Sequence, residues 1–184
     1  MTSSLPFDSL FQLVVDLPSR RPSPALPQRL AVLFRELAKP HSEGAADEIE
    51  DQIWALWISH EDRAAEEAMA AAIEALGTGA LDEAAPLLDD LVSRYPDWPE
   101  AWNRRATLAS IEQRDADSLE DIKRTLELEP RHFGAIAGFG EICLRHGLLN
   151  EARAAFQIAL ALDPHLEGLR EILDDLAPEN LMLH

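Results

Sequence analysis

One cysteine among 184 residues rules out a disulfide within the chain, so this is no cystine-stapled scaffold. Tyrosine occurs once, and runs of valine, isoleucine and threonine are nearly missing, while alanine and leucine abound. Strands have little to build on here, and helices have much. Basic residues are scarce as well. Lysine and arginine number 16 against 34 aspartates and glutamates, a net charge of −18 at pH 7. A surface of that sign repels nucleic-acid backbones and anionic lipid, so neither is an expected partner. Most of the charge lies in residues 41–97, where two arginines face fifteen carboxylates, and its first use on amphipathic patterns is to solvate helix faces. Long apolar runs are also missing. The one apolar stretch near the N-terminus holds Asp8 and Asp16 and has no basic leader, so it reads as neither a secretory signal nor a membrane span. The expected compartment is the cytoplasm, with the periplasm as the alternative if a leader is missing from this chain. At 47% hydrophobic, the length suits one domain, or one domain with an appendage.

Constellations that carry chemistry are missing too. The six histidines, at 41, 60, 132, 146, 165 and 184, form no i, i+4 pair around a glutamate, and most fall at expected helix ends, where caps are the better account. Asp89–Asp90 and Asp174–Asp175 sit on opposed or solvent-facing parts of helices, without a convergent pocket. Cys143 falls in phase with Ile136 and Phe139 as a small core residue. "HFGAIAGFG", residues 132–140, follows a helical pattern rather than a strand and lacks the Gly-Lys-Ser/Thr that closes around phosphate. No metal, cofactor or enzymatic activity is expected.

What is present is a period. Pro96, Pro130 and Pro164 stand 34 residues apart, each closing an apolar run: "LVSRYP", "TLELEP", "ALALDP". Gly79, Gln113 and Gly147 fall in the same phase, as do Ala72, Ala106 and Gly140, and again Ala84, Ser118 and Ala152. Each unit reads as two amphipathic helices around a short turn; in the third they run over about 132–146 and 149–162. Gly147 suits a left-handed cap on the first helix, and Pro164 bars continuation of the second. The small residues let two helix backbones approach closely, so Gly140 is a packing notch.

These columns resemble the tetratricopeptide repeat (TPR), which sets an aromatic, Leu-Gly and a second aromatic on one helix, then Ala, an aromatic, Ala and a closing Pro on the next. The third unit offers Ile136, Phe139, Gly140, Cys143, Ala152, Phe156, Ala159 and Pro164. The second offers Trp102, Arg105, Ala106, Ala109, Ser118, Ile122, Thr125 and Pro130. The first, with Ala68, Ala71, Ala72, Ala75, Ala84, Leu88, Leu91 and Pro96, has lost every large residue of the pattern from its first helix. "EAWNRRATL" and "LELEPRHFGA" are similar to motifs of a group of small bacterial TPR proteins, many of which carry a signal peptide that this chain lacks. The resemblance implies an all-α fold, a right-handed α-solenoid of antiparallel helix pairs. The repeats take residues 65–98, 99–132 and 133–166.

A solenoid exposes an apolar face at each end unless something covers it. "EGLREILDDL", residues 167–176, has Leu169, Ile172, Leu173 and Leu176 at helical spacing and reads as the C-terminal capping helix, followed by a tail at 177–184. Running the frame backward puts Trp54 and Trp57 on core slots of a second helix, preceded by another at about 27–38. Residues 25–64 are thus expected to form a degenerate pair over the N-terminal end, with the alanine-only helix making room for the indoles; the alternative is that both tryptophans face a partner. Phe7, Leu10, Phe11, Val14 and Val15 form one stripe in residues 5–17, and the region 1–24 reads as a tethered amphipathic helix with a Pro-rich linker. That helix packs on the body, docks on another chain, or lies in the groove until displaced.

The resemblance also implies a concave face lined by first helices. Met69, Ile73, Asn103, Arg104, Thr107, Ala137 and Glu141 fall at spacings that face it, with Ala70 and Gly138 beside them. Some TPR domains clamp a partner's terminal carboxylate with Lys, Asn and Arg, but Met69 and Ile73 stand where such groups would be wanted. A peptide or helical segment along the groove fits better, with Asn103 on its backbone and Arg104 on an acidic side chain, unless Arg104 pairs with Glu100 or Glu141. The expected function is a protein-binding adaptor or assembly scaffold, working as a monomer or weak homodimer. The alternative is a structural protein that self-associates through the N-terminal helix.

Overall fold

Residues 7–40 and 43–176 are described by the computed structural model. The tail at 177–184, the start of the stripe at 5–17, His41 and His184 lie outside them. Ten α-helices stand among the described residues, with no strand: α1 (Phe7–Asp16), α2 (Arg29–Leu37), α3 (Glu43–Ile58), α4 (Arg63–Thr78), α5 (Leu81–Arg94), α6 (Pro99–Ile111), α7 (Asp115–Leu128), α8 (Phe133–Arg145), α9 (Leu149–Leu162) and α10 (Glu167–Asp175). Local chemistry sets their ends. The Asp62 carboxylate accepts the Ala64 N–H at 2.9 Å to open α4, and Pro99 opens α6, where its missing N–H would have no helical partner. Gly79 and Gly147 follow α4 and α8 with φ of 77° and 72°, and Gln113 adopts the same left-handed turn after α6 at 59°.

The chain is an all-α solenoid in which α4–α5, α6–α7 and α8–α9 pack as antiparallel pairs and each pair stacks on the next. Small residues hold the pairs close. A Cβ on Gly140 would run into the Phe156 ring of α9, with Cδ1 only 2.8 Å away. In the second pair the Ser118 hydroxyl donates to the Ala106 carbonyl at 2.9 Å, a contact with no room for a larger side chain. Arg105 stands where the repeat's leucine belongs and binds Asp121 through two 2.8 Å bonds and Asp89 at 3.1 Å, tying α5, α6 and α7 together. Cys143 is fully buried, and burial, then Glu151, push its thiol up to about 12.

Two apolar clusters make up the core, one of α4, α5 and α6, the other of α7 to α9 with the terminal helices on both sides. α10 packs on α9 and buries Leu176, whose carbonyl accepts from Arg153. α1 packs on α7 and α9, burying Leu10, Leu13 and Val14, with Phe7 edge-on to His146. The described part of the N-terminal stripe therefore packs as a helix on α7 and α9 and does not lie in the groove, with Val15 left exposed. From there the linker crosses the solenoid's edge, where the Ser23 N–H meets the Leu128 carbonyl at 2.9 Å, and leads into α2 and α3.

The helices at 25–64 differ from their expected place. α2 and α3 pack on each other, but α3 turns onto α6 instead of stacking along α4. The outer face of α4 explains why. Arg63, Glu67, Ala71 and Glu74 are exposed there, and a helix laid over them would bury charge without gaining apolar contact. The alanine-only helix is thus the solvated end of the array, and it makes no room for the indoles. Gly140→Leu and Ala106→Leu are each expected to destabilise by about 1 to 3 kcal/mol through overpacking. Gln113→Gly should gain roughly 0.5 to 1 kcal/mol by relieving a left-handed backbone that side chains disfavour. Urea denaturation checks all three, and unchanged midpoints for the leucine variants would contradict the notch.

Candidate partner-binding groove

First helices α4, α6 and α8 line the concave side, so residues 34 apart repeat the same station along it. One row is Met69, Asn103 and Ala137; the next, a turn further on, is Ile73, Thr107 and Glu141. The structure lays α3 over the beginning of this surface. Trp57, fully buried, stacks on the His132 ring at 4.1 Å and 11°, and its carbonyl accepts the Trp98 indole N–H at 2.7 Å. Trp54 meets Phe133 edge-on at 5.5 Å and lies so close to Gly134 that a Cβ there would come within 2.9 Å of its ring.

Beneath the indoles sits a fully buried carboxylate. Glu100 accepts from Arg104 Nε at 2.6 Å, from the Asn103 amide at 3.2 Å and from His132 Nε2 at 2.8 Å. His132 Nδ1 takes the Ala135 N–H at 3.2 Å, so the imidazole caps α8 with one nitrogen and donates to Glu100 with the other. Charge-assisted bonds from three sides offset the cost of removing this charge from water.

Each residue expected to face a partner has a definite place. Met69 is fully buried in the core of the first pair, and Asn103 is buried with its amide on Glu100. Arg104 pairs with Glu100 and lies 5.4 Å over the Trp54 ring, so the internal pairing is the one realised. Ile73 and Ala137 are half-buried; Thr107 and Glu141 are exposed. Sequence reasoning named Glu100 as an alternative partner of Arg104 and His132 as a helix-end cap, but did not bring the two side chains together. It also passed over Ile111, one turn past Thr107 and 51% exposed.

A second feature lies where α3 meets the end of the array. Glu50 on α3 faces Asp163, a fully buried carboxylate just before Pro164. Burial first, then Asp163, and more weakly Asp47 and Asp51, push the Glu50 carboxyl up to about 8. The folded chain holds this proton more tightly than the unfolded chain does. The stability it contributes is complete below about pH 4.5 and is lost as pH rises through about 8. Thermal melts at pH 6 and pH 8.5 should therefore show wild type losing stability relative to Glu50→Gln at the higher pH. Parallel pH profiles would contradict the shared proton.

No family model matches the chain. Over 128 residues it is 33% identical to a TPR repeat-containing protein of Rhizobium etli, an alignment covering 70% of this chain and 63% of that protein. Over 112 residues it is 38% identical to the Hsp70-Hsp90 organizing protein of Triticum aestivum, covering 60% of this chain and 19% of the wheat protein. The chain thus spans less than two thirds of the length of either relative. Closing prolines every 34 residues, small residues where paired helices touch, and relatives bearing the same repeat agree on one conclusion: the chain belongs to the tetratricopeptide repeat proteins.

Proposed function

We propose that this chain is a protein-binding adaptor or assembly scaffold of the bacterial cytoplasm, and that a peptide or helical segment of its partner lies on the concave strip beside α3. The observation that carries this reading is α3 itself. A helix of this chain already rests on the small-residue floor at Gly134 and under-stacks Trp54 with Arg104, so the surface accepts a helix backbone closely. The next turn of the first helices is left uncovered. There Ile73, Thr107 and Glu141 repeat along the groove, and Ile111 adds an exposed apolar side chain. An apolar ledge flanked by a hydroxyl and a carboxylate suits the stripe and polar flank of an amphipathic helix. In this reading Asn103 and Arg104 hold Glu100 and α3, and the partner is met by the row beyond them. A terminal-carboxylate clamp is disfavoured, since Met69 is buried and Ile73 is apolar.

The test uses the full chain as bait in lysate of its native host, followed by calorimetry on each protein retained. Thr107→Arg combined with Ile111→Arg should weaken a groove ligand at least about tenfold, or roughly 1.4 kcal/mol. Arg63→Glu, at the solvated end, should change little. A retained protein indifferent to the double variant binds another surface, and the groove reading is then abandoned.

A further inference from the structure

A cleft of about 690 Å³ opens where the linker residues 25–27, the end of α3 with residues 59–61, and the turn 94–99 between α5 and α6 come together. It lies at the start of α6, the opposite end from Ile111, and so apart from the concave strip. Rings make up much of its wall. His60 packs against Tyr95 at 4.5 Å and Trp98 at 4.7 Å, and Pro27, Pro96 and Pro99 line the cleft with them.

The polar groups of this wall are unequally used. Its carbonyls are already supplied with donors. Leu56 accepts the Ser59 hydroxyl at 3.1 Å, Trp57 the Trp98 indole N–H at 2.7 Å, and Pro96 the Trp102 indole N–H at 3.0 Å. The carbonyls of Pro27, Tyr95 and Trp98 accept backbone N–H groups at 3.1, 3.0 and 3.2 Å. Arg94 is held by Asp90 at 3.1 Å, and the Tyr95 hydroxyl donates to Asp62 at 2.5 Å. Two donors are left over. Trp57 is fully buried, yet its indole N–H meets no acceptor among the described residues. His60 takes the Asp62 N–H on Nδ1 at 3.0 Å, which puts the proton of the neutral imidazole on Nε2, and among the described residues that N–H has no acceptor either.

We infer that this cleft binds a proline-rich segment of a partner protein. The complement of two spare N–H groups beside carbonyls that are already engaged is a chain with many acceptors and few donors. Proline provides it, for it has no N–H, and in the polyproline conformation the carbonyls make no bond within their own chain. An ordinary extended segment would bring N–H groups to a wall whose carbonyls are taken, and a purely apolar ligand would leave the indole unpaired. Proline rings also pack well on aromatic faces, in a conformation that costs little entropy to fix. The end of the chain's own proline-rich linker, Ala25 to Pro27, already forms one side of the cleft. Glu61 and Asp97, exposed at the rim, favour a basic residue beside the prolines. This contact goes beyond the groove reading and does not depend on it.

The probe is the peptide Arg-Pro-Pro-Ala-Pro-Pro-Arg, acetylated and amidated, compared with the same peptide carrying alanine for proline. Each is titrated into the isotopically labelled full chain while the indole N–H signals of its four tryptophans are followed by NMR. Sequential assignment identifies Trp57, and loss of its signal in Trp57→Phe checks it. The proline peptide should bind at least about tenfold tighter than the alanine peptide and move the Trp57 indole proton downfield, as a new acceptor does. Ser59→Tyr, a bulky change at an exposed position of the rim, should weaken the proline peptide at least about tenfold, whereas Thr107→Arg with Ile111→Arg should leave it unchanged. Equal affinity for the two peptides would mean that the acidic surface merely attracts arginine, and would overturn the inference. So would failure of the proline peptide to bind, a Trp57 signal that stays in place on saturation, or binding lost in the groove variant and kept in Ser59→Tyr.

Discussion

The buried Glu100 carboxylate is the constraint on which the arrangement turns. A charge removed from water is tolerated only when donors surround it, and here they come from one turn of α6, from Arg104 and Asn103, and from the cap of the next first helix, His132. Because His132 opens α8, satisfying Glu100 also sets how the third repeat sits on the second. The imidazole held this way presents a flat face, and Trp57 lies on it in parallel. Helix α3 is thus anchored by the same charge that spaces the repeats. Losing the carboxylate would leave Arg104 and His132 without their acceptor and Trp57 without a fixed platform.

The repeat array was legible because its signals are local and periodic. Closing prolines, left-handed turns at Gly79, Gln113 and Gly147, and the notch at Gly140 each report on a residue's own neighbourhood, and the structure puts them where the 34-residue phase says. The position of α3 was not legible. Extending the frame backward assigns Trp54 and Trp57 to slots on a preceding pair, yet nothing in a residue's phase says which surface a helix outside the repeats will cover. That depended on what each surface could offer: charged Glu67 and Glu74 on one side, and an imidazole, Phe133 and a glycine on the other. The site followed the same division. Thr107 and Glu141 are exposed as their spacing suggests, whereas Met69 and Asn103 are buried among partners that spacing does not reveal, and Arg104 takes the Glu100 pairing offered as its alternative.

Acidity has two separate roles here. Most of the 34 carboxylates solvate helix faces, and their individual pairs, such as Arg63 with Glu67, contribute little. A few are buried and specific. Glu100, Asp121 and Glu129 each meet a guanidinium: Asp121 joins α7 to Arg105 of α6, whereas Glu100 pairs within α6 and Glu129 within the turn before α8. Asp163 has the same station as Glu129 with a histidine in place of the arginine, which makes the two turns chemically distinct although their backbones share a bond pattern.

Terminal helices lie on both sides of the second and third repeats, α1 across α7 and α9 and α3 across the starts of α6 and α8, while the first repeat has neither. Nearest-neighbour stacking ordinarily makes a solenoid behave as a uniform spring, with every junction equally compliant. Here two of the three coils are splinted front and back, whereas the first is joined to the rest through α5 and α6, where Arg105 reaches Asp89. The orientation of the first repeat therefore rests on that one junction and on the His60, Tyr95 and Trp98 rings packed beside it.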